Sequence, residues 1–136
     1  MLLWIPEPAI RAIHAELLHE HGGLDGPVDE NALGATLARP QQLDHYSNPA
    51  STLSQLAAAY GFGFAKNHCF RDGNKRVALA AIDVFLQMNG HELTATEADA
   101  VVTFLALAAG DIDQNQLAEW ISRNMLAWDS GIKKAP

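Results

Sequence analysis

The nine residues His68-Cys69-Phe70-Arg71-Asp72-Gly73-Asn74-Lys75-Arg76 gather most of the side chains in this sequence that can do chemistry. Four of the nine Lys and Arg residues fall between positions 66 and 76, in a chain whose formal charge is −7. The local sign therefore opposes the prevailing one. The stretch closes in a Gly-Asn turn that runs into the apolar segment VALAAIDVFLQM. Exposed amides and the dipole at the start of a helix attract anions. Gly73 lets the backbone bend tightly and lets phosphate oxygens come close. Lys75 and Arg76, in the first helical turn, oppose the dipole by a few tenths of a kcal/mol each unless a bound polyphosphate faces them. His68 offers an imidazole able to take a hydroxyl proton, against the more ordinary role of a structural hydrogen-bonder. Asp72, the one carboxylate in the basic run, suits Mg²⁺ on a triphosphate. In purely structural terms, Asp72 or Asn74 is an N-cap. Together these residues point to phosphoryl or nucleotidyl transfer. The pattern is not a GxxxxGK[ST] loop. Cys69 makes a poor partner for His68, because neighbouring residues in extended chain point apart.

The elements that must hold this motif read as helices. At 136 residues, one domain over 1–136 is expected, burying roughly two thirds of its unfolded-chain surface. A first helix starts at Pro6 and Pro8, repeats Ile10, Ile13 and Leu17, and stops at Gly22-Gly23. It carries His14, His19 and His21, but His14 and His19 lie about 140° apart around a helix, so a solvated face is expected there rather than a metal pair. Asp29 caps a second helix that Pro40 ends, leaving residues 40 to 50 as a long connection. Ser51 or Thr52 can cap a third, with Thr52 and Gln55 fitting a capping box, and in it Gly61 and Gly63 imply something packed close. Val77 to Met88 is apolar nearly all round, the mark of a central enclosed helix ending at Asn89-Gly90. Two more follow, one from Thr96 with Asp99 completing a capping box, the other capped by Asp113. MLLWI or HELTA offers at most a stray strand, and the tail after Asp129 reads as frayed. The fold expected is all-α, about six helices around a central buried one.

Composition narrows the function. The acidic balance argues against broad nucleic-acid binding. No apolar run reaches the roughly 18 to 20 residues of a membrane span, and the opening apolar run is too short for a secretory signal. Cys69 is the one cysteine, which makes a cytoplasmic home the default.

HCFRDGNKR resembles the active-site loop of the Fic/Doc family, whose pattern is H-P-F-x-[DE]-G-N-[GK]-R. GGLDGPVDENALGATLARPQ, AYGFGFAKNHCF and FLQMNG are similar to the death-on-curing (Doc) branch, so the likeness runs from about Ile10 to Gly90. The resemblance implies an all-α fold, ATP and Mg²⁺ as co-substrates, and a protein hydroxyl as acceptor. It implies His68 as general base, Asp72 as the Mg²⁺ ligand, Gly73 and Asn74 as the phosphate-binding turn, and Arg76 as a phosphate grip. Members that transfer AMP usually read G-N-G-R-x-x-R, whereas this chain has Lys75 and Leu79 at the second Gly and second Arg. In Doc-like members that Lys accompanies a reversed nucleotide that presents its γ-phosphate. The implied activity is thus that of a toxin phosphorylating a translation protein such as elongation factor Tu, with AMP transfer or a non-catalytic nucleotide- or antitoxin-binding module as alternatives. Cys69 stands for the usual Pro, and Val77 for the usual Thr. The self-inhibitory pattern [ST]-x-x-x-E-[GN] is not matched: Glu30-Asn31 is the one Glu followed by Gly or Asn, and position 26 is Gly. An antitoxin acting in trans is therefore expected, and residues 40 to 50 are expected to form a flap for the target peptide.

Overall fold

A computed structural model describes residues 1–128 of the chain. Among these residues six helices follow one another: α1 (Glu7–His21), α2 (Glu30–Tyr46), α3 (Leu53–Lys66), α4 (Asn74–Met88), α5 (Glu97–Ala109) and α6 (Gln114–Arg123). A short antiparallel pair, β1 (His91–Leu93) and β2 (Met125–Ala127), sets His91 opposite Ala127 and Leu93 opposite Met125. The stray strand thus comes from HELTA, while MLLWI is irregular. The expected all-α architecture is present, and the tail after Asp129 lies outside the described residues.

Local signals set most helix ends. Asp29 accepts from Ala32 N–H at 3.0 Å, and Thr52 with Gln55 closes a reciprocal box before α3. Asp113 with Gln116 does the same before α6. Such caps satisfy amides that otherwise have no intrahelical partner, each contributing about 1 kcal/mol. Thr96 caps α5 as expected, but Asp99 completes no box. Its carboxylate instead accepts from the indole N–H of Trp120 at 2.9 Å, because the indole donor of this buried residue needs a partner.

Two larger expectations are corrected. Helix α2 runs through Pro40 to Tyr46, so the long connection at 40–50 shrinks to the residues between Tyr46 and Leu53. An interior proline costs about 3 kcal/mol in a lost hydrogen bond and a clash. Here Pro40 is buried and shares an inward face with the half-buried Leu37 and Leu43, three residues to either side. Burial of that face offsets the proline. The deepest helix is also not α4 but α3. From Leu56 to Ala65 every residue of α3 except Phe62 is buried, whereas Leu79, Ala80, Asp83 and Val84 of α4 are half-exposed. Helix α3 packs against α2, α4 and α6, which leaves one side of α4 open towards solvent.

The buried apolar side chains form a continuous cluster that includes Tyr60, Phe64, Ile82, Phe85, Leu117 and Ile121. Tyr60 and Phe85 meet with ring centroids 5.1 Å apart, and the Tyr60 hydroxyl accepts the Ile5 N–H, docking the N-terminal segment. The α3 glycines explain the tight seam. A Cβ on Gly61 would sit 2.5 Å from Ile82 Cδ1 and 2.9 Å from its Cγ1, and one on Gly63 would sit 2.9 Å from Thr36 Cγ2. Ile82 is fully buried and branched at Cβ, so it cannot swing aside.

These contacts separate two glycine substitutions of equal chemistry. Gly61→Ala should destabilise by about 1–3 kcal/mol through overpacking, despite the better helix propensity of Ala. Gly34→Ala, at an exposed α2 position with nothing near its would-be Cβ, should stabilise by about 0.5–1 kcal/mol. Urea unfolding decides the matter; a Gly61→Ala protein as stable as the parent would contradict the packing described.

Candidate active site

Between the end of α3 and the start of α4 the chain spends seven residues in a loop, and its backbone alternates between core and solvent. His68 has φ 50°, a left-handed conformation rare for a residue with a side chain. That twist leaves His68 exposed and sends Cys69 and Phe70 inward, at 1% and 3% exposure. Phe70 thus pins the loop to the core while His68 stays at the surface.

Helix α2 holds the outgoing half of the loop. Asp29 N–H donates to Cys69 O at 2.9 Å. The buried Thr36 hydroxyl accepts from Asn67 Nδ2 at 2.8 Å, donates to Ala32 O, and lies 3.4 Å from Cys69 Sγ. Burial raises the Cys69 thiol pKa above its usual value, against a smaller lowering by Thr36. Cys69 is therefore a packed thiol, not a nucleophile.

The returning half is tied by side chains bonding to backbone. Asn74 accepts from Phe70 N–H at 3.1 Å and donates to Phe70 O at 2.8 Å, bridging its own loop. The helix cap falls on neither Asp72 nor Asn74, contrary to the sequence-based expectation. Gly73 occupies it, in the left-handed region at φ 82° and without a side-chain cap bond. Both candidate side chains are committed elsewhere, Asn74 to Phe70 and Asp72 to two other amides. Asp72 accepts from Gly73 N–H at 2.9 Å and from Leu24 N–H at 3.0 Å. These two amides, with a smaller contribution from Arg76, hold its carboxyl below the ordinary range, so it is ionised at neutral pH.

The first bond of the α4 ladder runs from Val77 N–H to Gly73 O. The amides of Asn74, Lys75 and Arg76 thus precede the ladder at the positive end of the helix. In front of them opens a cleft of about 700 Å³ lined by Lys66, His68, Arg71, Asp72, Gly73, Asn74, Lys75, Arg76 and Leu79. Its far wall is α5, with Val101, Phe104 and Leu105. All six residues picked out from the sequence as His68, Asp72, Gly73, Asn74, Lys75 and Arg76 therefore meet at one cavity. Lys66, whose ammonium lies 5.9 Å from the Phe62 ring centroid, and Arg71 add to its positive charge.

Such a cleft has the chemistry of a polyphosphate site, with cations on flexible stems, free helix amides and an exposed imidazole. Among the described residues no three His, Cys, Asp or Glu side chains converge on a metal position. A lone carboxylate still fits Mg²⁺, which is commonly held by one or two carboxylates together with substrate phosphates. Each Asp72 oxygen accepts one amide and keeps a lone pair.

Two contributors escaped the sequence reading. His14, expected on a solvated face, is 7% exposed. Its ring stacks on Phe70 at 3.9 Å between centroids and 13° between planes, and its Nε2 lies 2.9 Å from Asp72 O. The other is the segment after α1, where Leu24 bonds Asp72 and Gly26 leaves the Arg71 side chain its room, since a Cβ there would sit 2.8 Å from Arg71 Cδ. The run GGLDG marked that segment as a turn, but nothing local named its partner.

The model of the Fic/DOC family matches residues 4–86. A protein named "Protein kinase doc" from Escherichia phage P1 is 31% identical over 118 residues, covering 87% of this chain and 91% of that protein. "Toxin Doc" of Mycolicibacterium smegmatis is 42% identical over 67 residues, covering 49% of this chain and 52% of that protein.

The Asp72 bonds also make a pH prediction. A carboxyl held below its unfolded pKa of about 3.9 contributes stability that is complete above that value and fades as pH falls through the lower native one. Asp72→Asn should therefore be less stable than the parent at pH 7, and the gap should close progressively below about pH 4, where the parent carboxyl becomes neutral too. Urea midpoints of both proteins between pH 7 and pH 2 provide the measurement. A gap that stays constant would show that the two amide bonds owe nothing to the carboxylate charge.

Proposed function

The chain belongs to the Fic/DOC family, and from that premise we propose that it is a Doc-type toxin of a toxin–antitoxin pair, transferring the γ-phosphate of ATP to a hydroxyl of a translation protein. The names of its relatives support a transferase and a toxin. The observation that carries the reading is the meeting of His68, Asp72, Lys75 and Arg76 at one cleft in front of the α4 amides.

In this reading Lys75, Arg76 and the amides of Asn74 to Arg76 bind and orient the phosphate chain. Asp72 would hold Mg²⁺, which when bound would supply charge neutralisation for the transfer. The exposed His68 faces the acceptor. The hydroxyl proton passes to an imidazole nitrogen, the acceptor oxygen bonds to the γ-phosphorus, the bond from that phosphorus to the β–γ bridging oxygen breaks, and ADP leaves. Positioning and electrostatics supply most of such an acceleration, and a general base contributes roughly 10²–10⁴-fold. Leu79 lines the cleft where AMP-transferring members carry a second arginine. That favours phosphate over AMP as the group transferred. Elongation factor Tu is the acceptor proposed, which sets the activity in the cytoplasm. Among the described residues no helix is long and apolar enough to cross a membrane. Restraint comes from an antitoxin bound in trans.

ATP labelled at the γ- or the α-phosphate, incubated with the protein and a cell extract, tests the assignment. The expected result is a protein band carrying γ-label and no α-label, lost by at least a hundredfold in a folded His68→Ala variant that is also no longer toxic. An α-labelled band would establish AMP transfer instead. ATP binding without any labelled protein would leave a non-catalytic nucleotide-binding module, and undiminished labelling by His68→Ala would remove His68 as the base.

A further inference from the structure

We propose that His14 is a positioning residue for the phosphate-binding turn, acting through the backbone at Asp72 and Gly73; this rests on the reading of the cleft as a nucleotide site. His14 lies on α1, 58 residues before Asp72 in the chain, yet its Nε2 is 2.9 Å from Asp72 O. A carbonyl oxygen only accepts, so the imidazole must carry its proton on Nε2 and donate. Donation fixes the plane of the Asp72–Gly73 peptide. That peptide delivers the Gly73 N–H to the Asp72 carboxylate and leads directly into the left-handed Gly73 at φ 82° that opens α4. Rotation of this one peptide would move the Gly73 N–H away from Asp72 and tilt the first amides of α4 away from the cleft.

The ring is itself held rigidly. It lies nearly parallel to Phe70, 3.9 Å away and 13° from coplanar, while Phe70 N–H and O are clamped by Asn74. The Gly73 Cα side also closes on it, because a Cβ there would lie 3.7 Å from His14 Cδ2. His14 is therefore wedged between the two ends of the turn, stacked on Phe70 and donating to Asp72. A core histidine retained only to fill space would need neither a defined tautomer nor a bond to this peptide.

Two substitutions separate the roles. His14→Phe keeps an aromatic ring against Phe70 and removes the donor; His14→Gln keeps an N–H near the Nε2 position and gives up the stack. MgADP binding, followed by calorimetry, reads the turn without any transfer step. We expect His14→Phe to remain folded and to bind MgADP about tenfold more weakly, roughly 1.4 kcal/mol, with His14→Gln recovering most of the loss. In the transfer assay the same variants should raise KM for ATP more than they lower kcat. Equal binding by His14→Phe and the parent, or no recovery in His14→Gln, would overturn the proposal. Should His14→Phe fail to fold, nitrogen-15 spectra of the parent imidazole decide it: a proton on Nε2 at pH 7.5 supports the proposal, and a ring protonated on Nδ1 alone defeats it. A parent that binds MgADP but transfers no phosphate would refute the kinase reading and leave the comparison valid. A parent that binds no nucleotide would refute both.

Discussion

Between Phe70 and Asn74 the chain must leave the core and re-enter it as the first turn of α4, and this reversal constrains everything around it. Here the change of direction passes through the left-handed region, which Gly73 occupies at φ 82° and which glycine adopts without a Cβ penalty. The peptide before it has no intrinsic reason to keep one orientation. Its neighbours impose one: the Asp72 carboxylate takes the Gly73 amide, Leu24 takes the other carboxylate oxygen, and Asn74 bridges both backbone groups of Phe70. With His14 of α1 bonded to Asp72 O, the turn is over-determined by bonds from three parts of the chain. Such over-determination is what allows unusual backbone conformations to persist, and His68 at φ 50° is a second instance six residues before α4 begins.

The same reversal produces the electrostatics. Gly73 starts α4 without a side-chain cap bond, so no N-cap side-chain oxygen engages the first amides of the helix. A capping serine or aspartate would have engaged them and weakened the pull on an anion. Lys75 and Arg76 then stand at the wrong end of the helix for its dipole, which is unfavourable in the isolated protein and favourable only opposite negative charge. In a chain of formal charge −7, concentrating four cationic side chains here also focuses the field on one cleft. Asp72 adds a negative charge within it, kept ionised by its amide partners.

Rigidity under the cleft comes from packing behind its lining. Thr36 on α2 binds Asn67 beside the loop and packs its methyl against Gly63, which ties α2, α3 and the loop together. Ile82 seats α4 against Gly61 at a distance no larger residue would permit. The N-terminal end of α4 is thereby fixed to the well-packed seam with α3, whereas α5 presents exposed Val101 and Leu105 as the opposite wall. One wall is rigid and polar; the other is apolar and lightly packed.

Much of this was readable beforehand, and the division has a physical cause. Caps at Asp29, Thr52 and Asp113, the stop at Asn89-Gly90, the close approach at Gly61 and Gly63, and the clustering of His68 to Arg76 all depend on residues a few positions apart, so spacing and composition determine them. The six site residues lie within nine positions and were found together for that reason. What tertiary structure alone decided depends on partners distant in the chain. Pro40 stays helical because the core receives it, Asp99 abandons its cap for Trp120, and α3 rather than α4 is deepest because of how the helices stack. His14 and Leu24 reach Asp72 from 58 and 48 residues away. Short-range chemistry could announce an anion site, but the orientation of its central peptide is set by side chains that only folding brings near.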